Sequence, residues 1–412
     1  MVLVAGTLAL AIQTPDVAMA GSPIGAPFLV GDEDVPTASP AVAYNSIWDE
    51  YLVVWQNDRP GFDDIYAQLV SEDGDLVGGR RVITWGADTE RRYPDVAYNP
   101  NWNEYLVVWE HYDHATGSFS IRGQRVSWEG EPTGGEILIS SGGPVSGWQP
   151  KVAHAFTSGM FLVVWESHTQ GGVSNDVKGQ LIANGGGLVG GNFDVALGDW
   201  SFSHEQPDLA YNRGSNEFLV AWQQEDKNAS LYDVYARIVR PDGSMPPSTI
   251  EIARYTAHST APAVGAIPAA IPGGQYLVAW ELQYGPSNRN IMARFVKGDG
   301  STPGPGFYVC SRGDDEVRPA VAGNERSASY LVSWTQSMGW SNINGQEIAA
   351  GGALTGPNRV LAGKYADNAA VSDGSLGDFL VAYDDQPYTA NRDTWGYLWG
   401  NRVYLPFVTR NG

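Results

Sequence analysis

The sequence predicts an all-β fold, a seven-bladed β-propeller of four-stranded blades whose ring is closed by the N-terminal strand. Three observations carry this. A five-residue apolar run, Tyr51 to Trp55, recurs as Tyr105 to Trp109, Phe161 to Trp165, Phe218 to Trp222, Tyr276 to Trp280, Tyr330 to Trp334 and Phe379 to Tyr383. The copies are rich in β-formers and spaced by roughly 50 to 58 residues, the sign of an array of similar β units. The seventh copy lacks a fourth strand after its third, while Pro27 to Val30 near the N-terminus match one. A linear β-solenoid is the competing architecture, but it would have no need of this permuted strand.

Aligned on the apolar run, each unit reads as four strands. The first starts at a proline: Pro40, Pro94, Pro150, Pro207, Pro262 and Pro319, with Asn368 taken as the seventh equivalent. Proline suits the first residue of a strand, where no ladder N–H is required. A small Ala-Val-Ala core follows, as the crowded centre of a radial array demands. The second strand is the apolar run itself. The third carries Gly or Ala at its fourth position (Ala67, Gly123, Gly179, Ala236, Ala293, Gly345, Gly396), read as space for a large aromatic of the neighbouring strand, with Trp222 expected against Ala236. Asp73-Gly74, Asp242-Gly243 and Asp299-Gly300 then mark tight hairpins into a short fourth strand. The blades are expected at about 40–84, 94–140, 150–197, 207–253, 262–310, 319–362 and 368–400, the last completed by 27–30. Closing the ring removes exposed sheet edges.

Composition narrows the function. The chain has 412 residues, with 25 Lys plus Arg against 46 Asp plus Glu, a net charge of −21. Such a surface repels nucleic-acid backbones and anionic membranes. The single cysteine, Cys310, excludes a disulfide framework and a CxxC metal site, and it reads as a small buried hydrophobe. Residues 2–12 are apolar and Ala18-Met19-Ala20 resembles a cleavage signal, so residues 1–20 are expected to be a signal peptide lacking its basic region, too short to span a membrane. Residues 401–412 form a tail.

Pro-Ala-Val-Ala-Tyr-Asn, Tyr-Leu-Val-Val-Trp, Asp-Ile-Tyr-Ala-Gln and Asp-Gly, in that order, resemble the tandem repeats of secreted bacterial β-propeller proteins over about residues 27–400. The resemblance implies the fold and a secreted or cell-surface setting, and it brings no catalytic residues with it. Val403 to Val408 is similar to an ending found on some bacterial envelope proteins. Its residues Val403, Tyr404, Leu405, Phe407 and Val408 are the candidate assembly tail.

The loops between second and third strands and between blades share one face, and they collect most of the histidines: His111, His114, His168, His204 and His258. Trp85, Tyr93, Trp148, Trp200, Tyr255, Trp340 and Tyr388 lie in the same loops and form the candidate ligand face. Against this, loops gather polar and aromatic residues in any protein. A further ring, Gln56, Glu110, Glu166, Gln223, Glu281, Thr335 and Asp384, follows the second strands. It reads either as a carboxylate-lined cation site or as a set of hydrogen-bonded strand ends. No G-x-S-x-G, H-E-x-x-H, phosphate-loop or calcium-loop motif occurs, so no catalytic residue, cofactor or metal is assigned, and a role for Ca²⁺ has no motif behind it. Three functions follow: a non-catalytic structural, adhesive or self-assembling surface protein, with other copies of itself or surface glycans as partners; a lectin-like carbohydrate binder; and a glycan hydrolase using central carboxylates.

Overall fold

A computed structural model describes residues 22–31, 36–57, 63–140, 146–168, 174–199, 201–267, 272–285, 287–337, 339–385 and 392–400. The signal-like segment 1–20 and the candidate assembly tail, including Val403, Tyr404, Leu405, Phe407 and Val408, lie outside the described residues. Seven antiparallel four-stranded sheets are arranged as a ring, six of them with their strands in sequence order from the centre outward. Blade 1, for example, is built from Thr37–Asn45, Glu50–Asn57, Asp64–Ser71 and Leu76–Thr84. No helix among the described residues is long and apolar enough to cross a membrane.

Blade 7 takes Ala366–Asp373, Phe379–Asp385 and Asp393–Gly400 from the C-terminal end and its outer strand, Ser22–Gly31, from the N-terminal end. Phe28 pairs with Gly396 and Leu29 with Trp395, in antiparallel register. The closing strand is longer than the four residues expected and is interrupted by a bulge between Ile24 and Phe28. Gly74, in the hairpin turn of blade 1, sits on this seam: a Cβ there would lie 3.0 Å from Phe28 and 3.3 Å from Leu398.

The core is not one mass but seven, each between adjacent blades. Successive side chains of a strand point to opposite faces, so each second strand feeds two interfaces. This corrects the expected partner of Trp222. It is buried, at 1% exposure, against blade 3 residues such as Val164, Val177 and Val195. Ala236 pairs with Ala221, one residue from Trp222, and so faces the other way, into the cluster containing Trp280 of blade 5. The space beside the small third-strand residues is filled instead by the outer strand. A Cβ on Gly179 would meet Phe193 at 2.8 Å, one on Gly345 would meet Leu361 at 2.6 Å, and one on Gly396 would meet Phe28 at 2.5 Å.

Every innermost strand enters through the same distortion. The residue before the proline is left-handed in all seven blades: Ser39, Tyr93, Gln149, Gln206, Ala261, Arg318 and Asn368, with φ from 48° to 54°. The ladder skips at this point, from Ala38 to Ala41 in blade 1. The same skip, Asp367 to Ala370, places Asn368 opposite Ser39 rather than opposite Pro40. The seventh proline equivalent is therefore Ala369, one residue later than the repeat alignment had it. Left-handed backbone costs a non-glycine residue roughly 1–2 kcal/mol, so something must hold it in place.

Candidate functional site: the central pit

The ring of residues after the second strands holds it. The bulge turns each left-handed N–H away from its own sheet and toward the preceding blade. Tyr93 N donates to Gln56 Oε1 at 2.8 Å, Gln149 N to Glu110 Oε2 at 3.4 Å, Gln206 N to Glu166 Oε2 at 3.1 Å and Ala261 N to Gln223 Oε1 at 3.0 Å. Arg318 N donates to Glu281 Oε1 at 2.8 Å, and Ser39 N reaches Asp384 Oδ2 at 3.2 Å across the closure. In blade 6 the ring residue is Thr335, too short to reach. Asp367 substitutes: it accepts from Thr335 Oγ1 at 2.9 Å and from Asn368 N at 3.0 Å. Of the two readings of this ring, the hydrogen-bonded strand ends describe what these side chains do: they fasten blade to blade. Burial pushes the carboxyls of Glu110 and Asp384 up to about 7 and raises that of Glu281. At Asp367 the guanidinium of Arg318 and the Thr335 hydroxyl outweigh burial and lower it.

The clasp ring frames a central cavity of about 430 Å³. Its rim is formed by the left-handed residues, including the exposed Tyr93, and below them come the prolines. The next layer is the residue after each proline. In blades 1, 5, 6 and 7 it is Ala41, Ala263, Ala320 and Ala370; in blades 2, 3 and 4 it is Asp95, Lys151 and Asp208. One side of the pit is thus an alanine and proline wall, and the other is an arc of acid, base and acid. Lys151 Nζ lies 3.9 Å from Asp95 Oδ1. Asp95 Oδ2 accepts the N–H of Val152 in the next blade at 2.7 Å, and Asp208 Oδ2 accepts that of Val264 at 2.7 Å. Desolvation raises the Asp95 carboxyl and lifts that of Asp208 to about 6, offset in part by Lys151; the attraction of Asp95 raises the Lys151 ammonium.

Outside the rim, the same blades carry a second cluster. Trp148 is half-buried, with its ring centroid 3.7 Å from that of His168 and 5.6 Å from that of Phe119. His168 Nε2 is 2.6 Å from Glu166, and Asn175 Nδ2 bridges Glu166 at 3.1 Å and Glu205 at 3.2 Å. Burial, then the Glu166 charge, raises the Glu205 carboxyl.

Of the proposed aromatics that lie among the described residues, Tyr93 lines the pit, and Trp85, Trp148, Tyr255 and Trp340 do not. Trp85 stands 76% exposed in its loop, Trp340 is covered on one face by the Lys364 ammonium at 4.3 Å, and Tyr255 lies over Trp280 with centroids 6.5 Å apart. Trp200 and Tyr388 lie outside the described residues. His111 and His114 also part company. His111 is buried, its basicity reduced to about 4 by burial and by Arg122 and Arg91, whereas His114 lies 3.1 Å from Glu90. Among the described residues no group of three His, Cys, Asp or Glu could hold a metal ion. Cys310 is buried as expected, its Sγ 3.0 Å from Glu316 Oε1, and burial lifts the thiol to about 12. An aromatic cluster also lies on the opposite face, where Trp48 stacks on Trp128 with centroids 4.9 Å apart. The polar arc was missed in sequence although its signal was there: Asp95, Lys151 and Asp208 break the alanine that follows the proline in other copies.

No protein family profile matches the chain, and no curated protein is similar to it. Solved structures are similar in fold. A protein of unknown function from Dyadobacter fermentans is 8% identical with a TM-score of 0.55, covering 91% of this chain and 97% of that one. A polysaccharide lyase, Uly1, is 9% identical with a TM-score of 0.52, covering 91% and 99%. A Hadza microbial sialidase is 10% identical with a TM-score of 0.52, covering 77% of this chain and 66% of that one. At these identities the likeness is one of fold. Fold and cavity together define the class: a seven-bladed propeller with an asymmetric polar pit on its axis.

Proposed function

We propose that this protein is an extracellular, non-catalytic binding propeller that holds a carbohydrate in its central pit. The observation that carries the reading is the two-sided pit. An alanine and proline wall suits the C–H face of a sugar, and the opposing arc supplies both donors and acceptors for hydroxyls. A concave site of this size, with convergent polar groups facing an apolar wall, is a common form of small-ligand pocket. The non-catalytic part rests on commitment of the acids. Glu110, Glu166, Glu281 and Asp384 each accept a clasp hydrogen bond, and of the two acids that line the pit Asp95 sits against Lys151, which leaves Asp208 without a second open carboxyl beside it. A hydrolase would need two carboxyls free to exchange protons or attack. Two glycan-acting enzymes among the similar folds suit a glycan partner without deciding it.

The test is a glycan array followed by calorimetry with the best binder, using Lys151→Ala as the pit variant. Binding that weakens in the variant supports the reading. Release of reducing ends from any bound glycan would replace it with the hydrolase, and an empty array would favour the structural reading. That second reading, a self-assembling surface protein, is favoured by the repetition of the clasp through all seven blades, and negative-stain microscopy of native material shows whether polymers form.

A further inference from the structure

The charge inventory of the pit is uneven. Four charged side chains line it: Asp95, Lys151, Asp208 and Arg318. Lys151 lies between the two acids, its Nζ 3.9 Å from Asp95 Oδ1 and its charge attracted by Asp208 as well. The Arg318 guanidinium is matched to Asp367 outside the pit. Asp208 accepts backbone hydrogen bonds from Val264 and Leu209 and shares the charge of Lys151 with Asp95, so the arc carries two acids to one base. Its side chain lines the cavity and is half-buried.

The surroundings act in the same sense. Clasp acids stand behind the rim around the ring: Glu110, Glu166, Glu281 and Asp384. The whole chain carries a charge of −21. A concave site with low-dielectric walls and one sign of surplus charge focuses that field and raises the local concentration of the opposite charge. A ligand carboxylate or sulfate would find no unmatched cation here. Lys151 could meet it only by leaving Asp95, which would put a second uncompensated acid in the pit.

We propose that the pit selects a saccharide bearing a free, protonated amine, with Asp208 as its counter-ion, and rejects anionic sugars. This rests on the reading of the pit as a carbohydrate site and adds the class of sugar. The Asp208 carboxylate takes an N–H⁺ donor, a charge-assisted hydrogen bond about twice as strong as a neutral one. The alanine and proline wall packs the ring.

The experiment is calorimetric titration of the full chain with glucosamine oligomers, their N-acetylated counterparts, glucuronate-containing oligomers and a plain alkylamine, repeated with Asp208→Asn. The amide keeps an oxygen for the Val264 N–H, so the strand stays supported. The expected result is that the free-amine oligomer binds at least tenfold more tightly than its N-acetylated form, that the uronate does not bind, and that Asp208→Asn removes the preference. Equal binding of amine, N-acetyl and uronate forms, or a preference unchanged in Asp208→Asn, overturns the inference while leaving a carbohydrate site standing. Equal binding of the amine oligomer and the plain alkylamine does the reverse: it removes the sugar and keeps the charge selection.

Discussion

Removing the Trp222 side chain should destabilise the protein by roughly 3–5 kcal/mol, and the location of that loss separates two packings of the propeller. Trp222 is 1% exposed. A buried aromatic of this type covers about 150–250 Å², and at about 25 cal/mol per Å² its removal forfeits roughly 4–6 kcal/mol of transfer free energy before relaxation. That agrees with the range of about 3–5 kcal/mol for large aromatics truncated in cores. Ala236→Leu should cost about 1–3 kcal/mol by overpacking, but in the interface with blade 5. Because Trp222 faces blade 3, the two substitutions share no partner. The double variant should therefore equal the sum of the singles within roughly 0.5 kcal/mol. Urea unfolding followed by intrinsic fluorescence and circular dichroism supplies the four free energies of the cycle. A coupling of 1 kcal/mol or more would mean that the two side chains meet, and the assignment of separate interfaces would be wrong.

Other expectations follow from the closure, the clasp and the buried acids. Deleting residues 22–31 removes the outer strand of blade 7 and bares the edge of Asp393–Gly400, so light scattering should report aggregation where the full chain stays dispersed; an equally soluble and stable deletion would disprove closure by this strand. Gln56→Leu leaves the Tyr93 N–H without its acceptor and should lower stability by about 1–3 kcal/mol; an unchanged denaturation midpoint would show that the clasp contributes nothing. The pH dependence has a defined sign. Burial lifts Glu110, Asp373 and Asp384 to about 7 and Asp208 to about 6, so between the ordinary carboxyl range and pH 7 the folded state binds more protons than the unfolded one. Stability from these groups is full below about pH 4, is lost progressively as pH rises, and is gone once pH has passed through the folded values of about 6 to 7. His111 and His154, both depressed to about 4 by burial, act oppositely as pH falls below about 6.5. With four raised acids against two depressed histidines, the melting temperature should be nearly level above about pH 8 and rise as pH falls from about 7 toward 5; a fall over that span would contradict this.

The sequence by itself determined the number of blades, their strand order and the closing of the ring, because these follow from local patterns. Tyr51 to Trp55 and its copies are strands wherever they sit, and the missing outer strand of the seventh unit could only be supplied by residues such as Phe28 and Leu29. It also determined that Cys310 would be buried and that the ring from Gln56 to Asp384 would recur in each blade. The face a side chain takes in a closed ring was beyond it. Trp222 and Ala221 are one residue apart but serve different interfaces, and only the pairing of Ala221 with Ala236 settles which is which. Nor could it see that a left-handed residue before each proline turns an N–H toward the preceding blade, which converts a ring of acids and amides from a candidate cation site into a fastening. The same bulge moved the seventh equivalent from Asn368 to Ala369. The pit was decided by tertiary structure alone: Asp95, Lys151 and Asp208 are more than fifty residues apart in the chain, and only radial symmetry brings the residue after each proline to one axis. The loop aromatics Trp85, Tyr255 and Trp340 looked like parts of one site in sequence because they share a face, but each has its own surroundings in the structure. Sharing a face of a wide ring does not bring side chains together, whereas lying on its axis does.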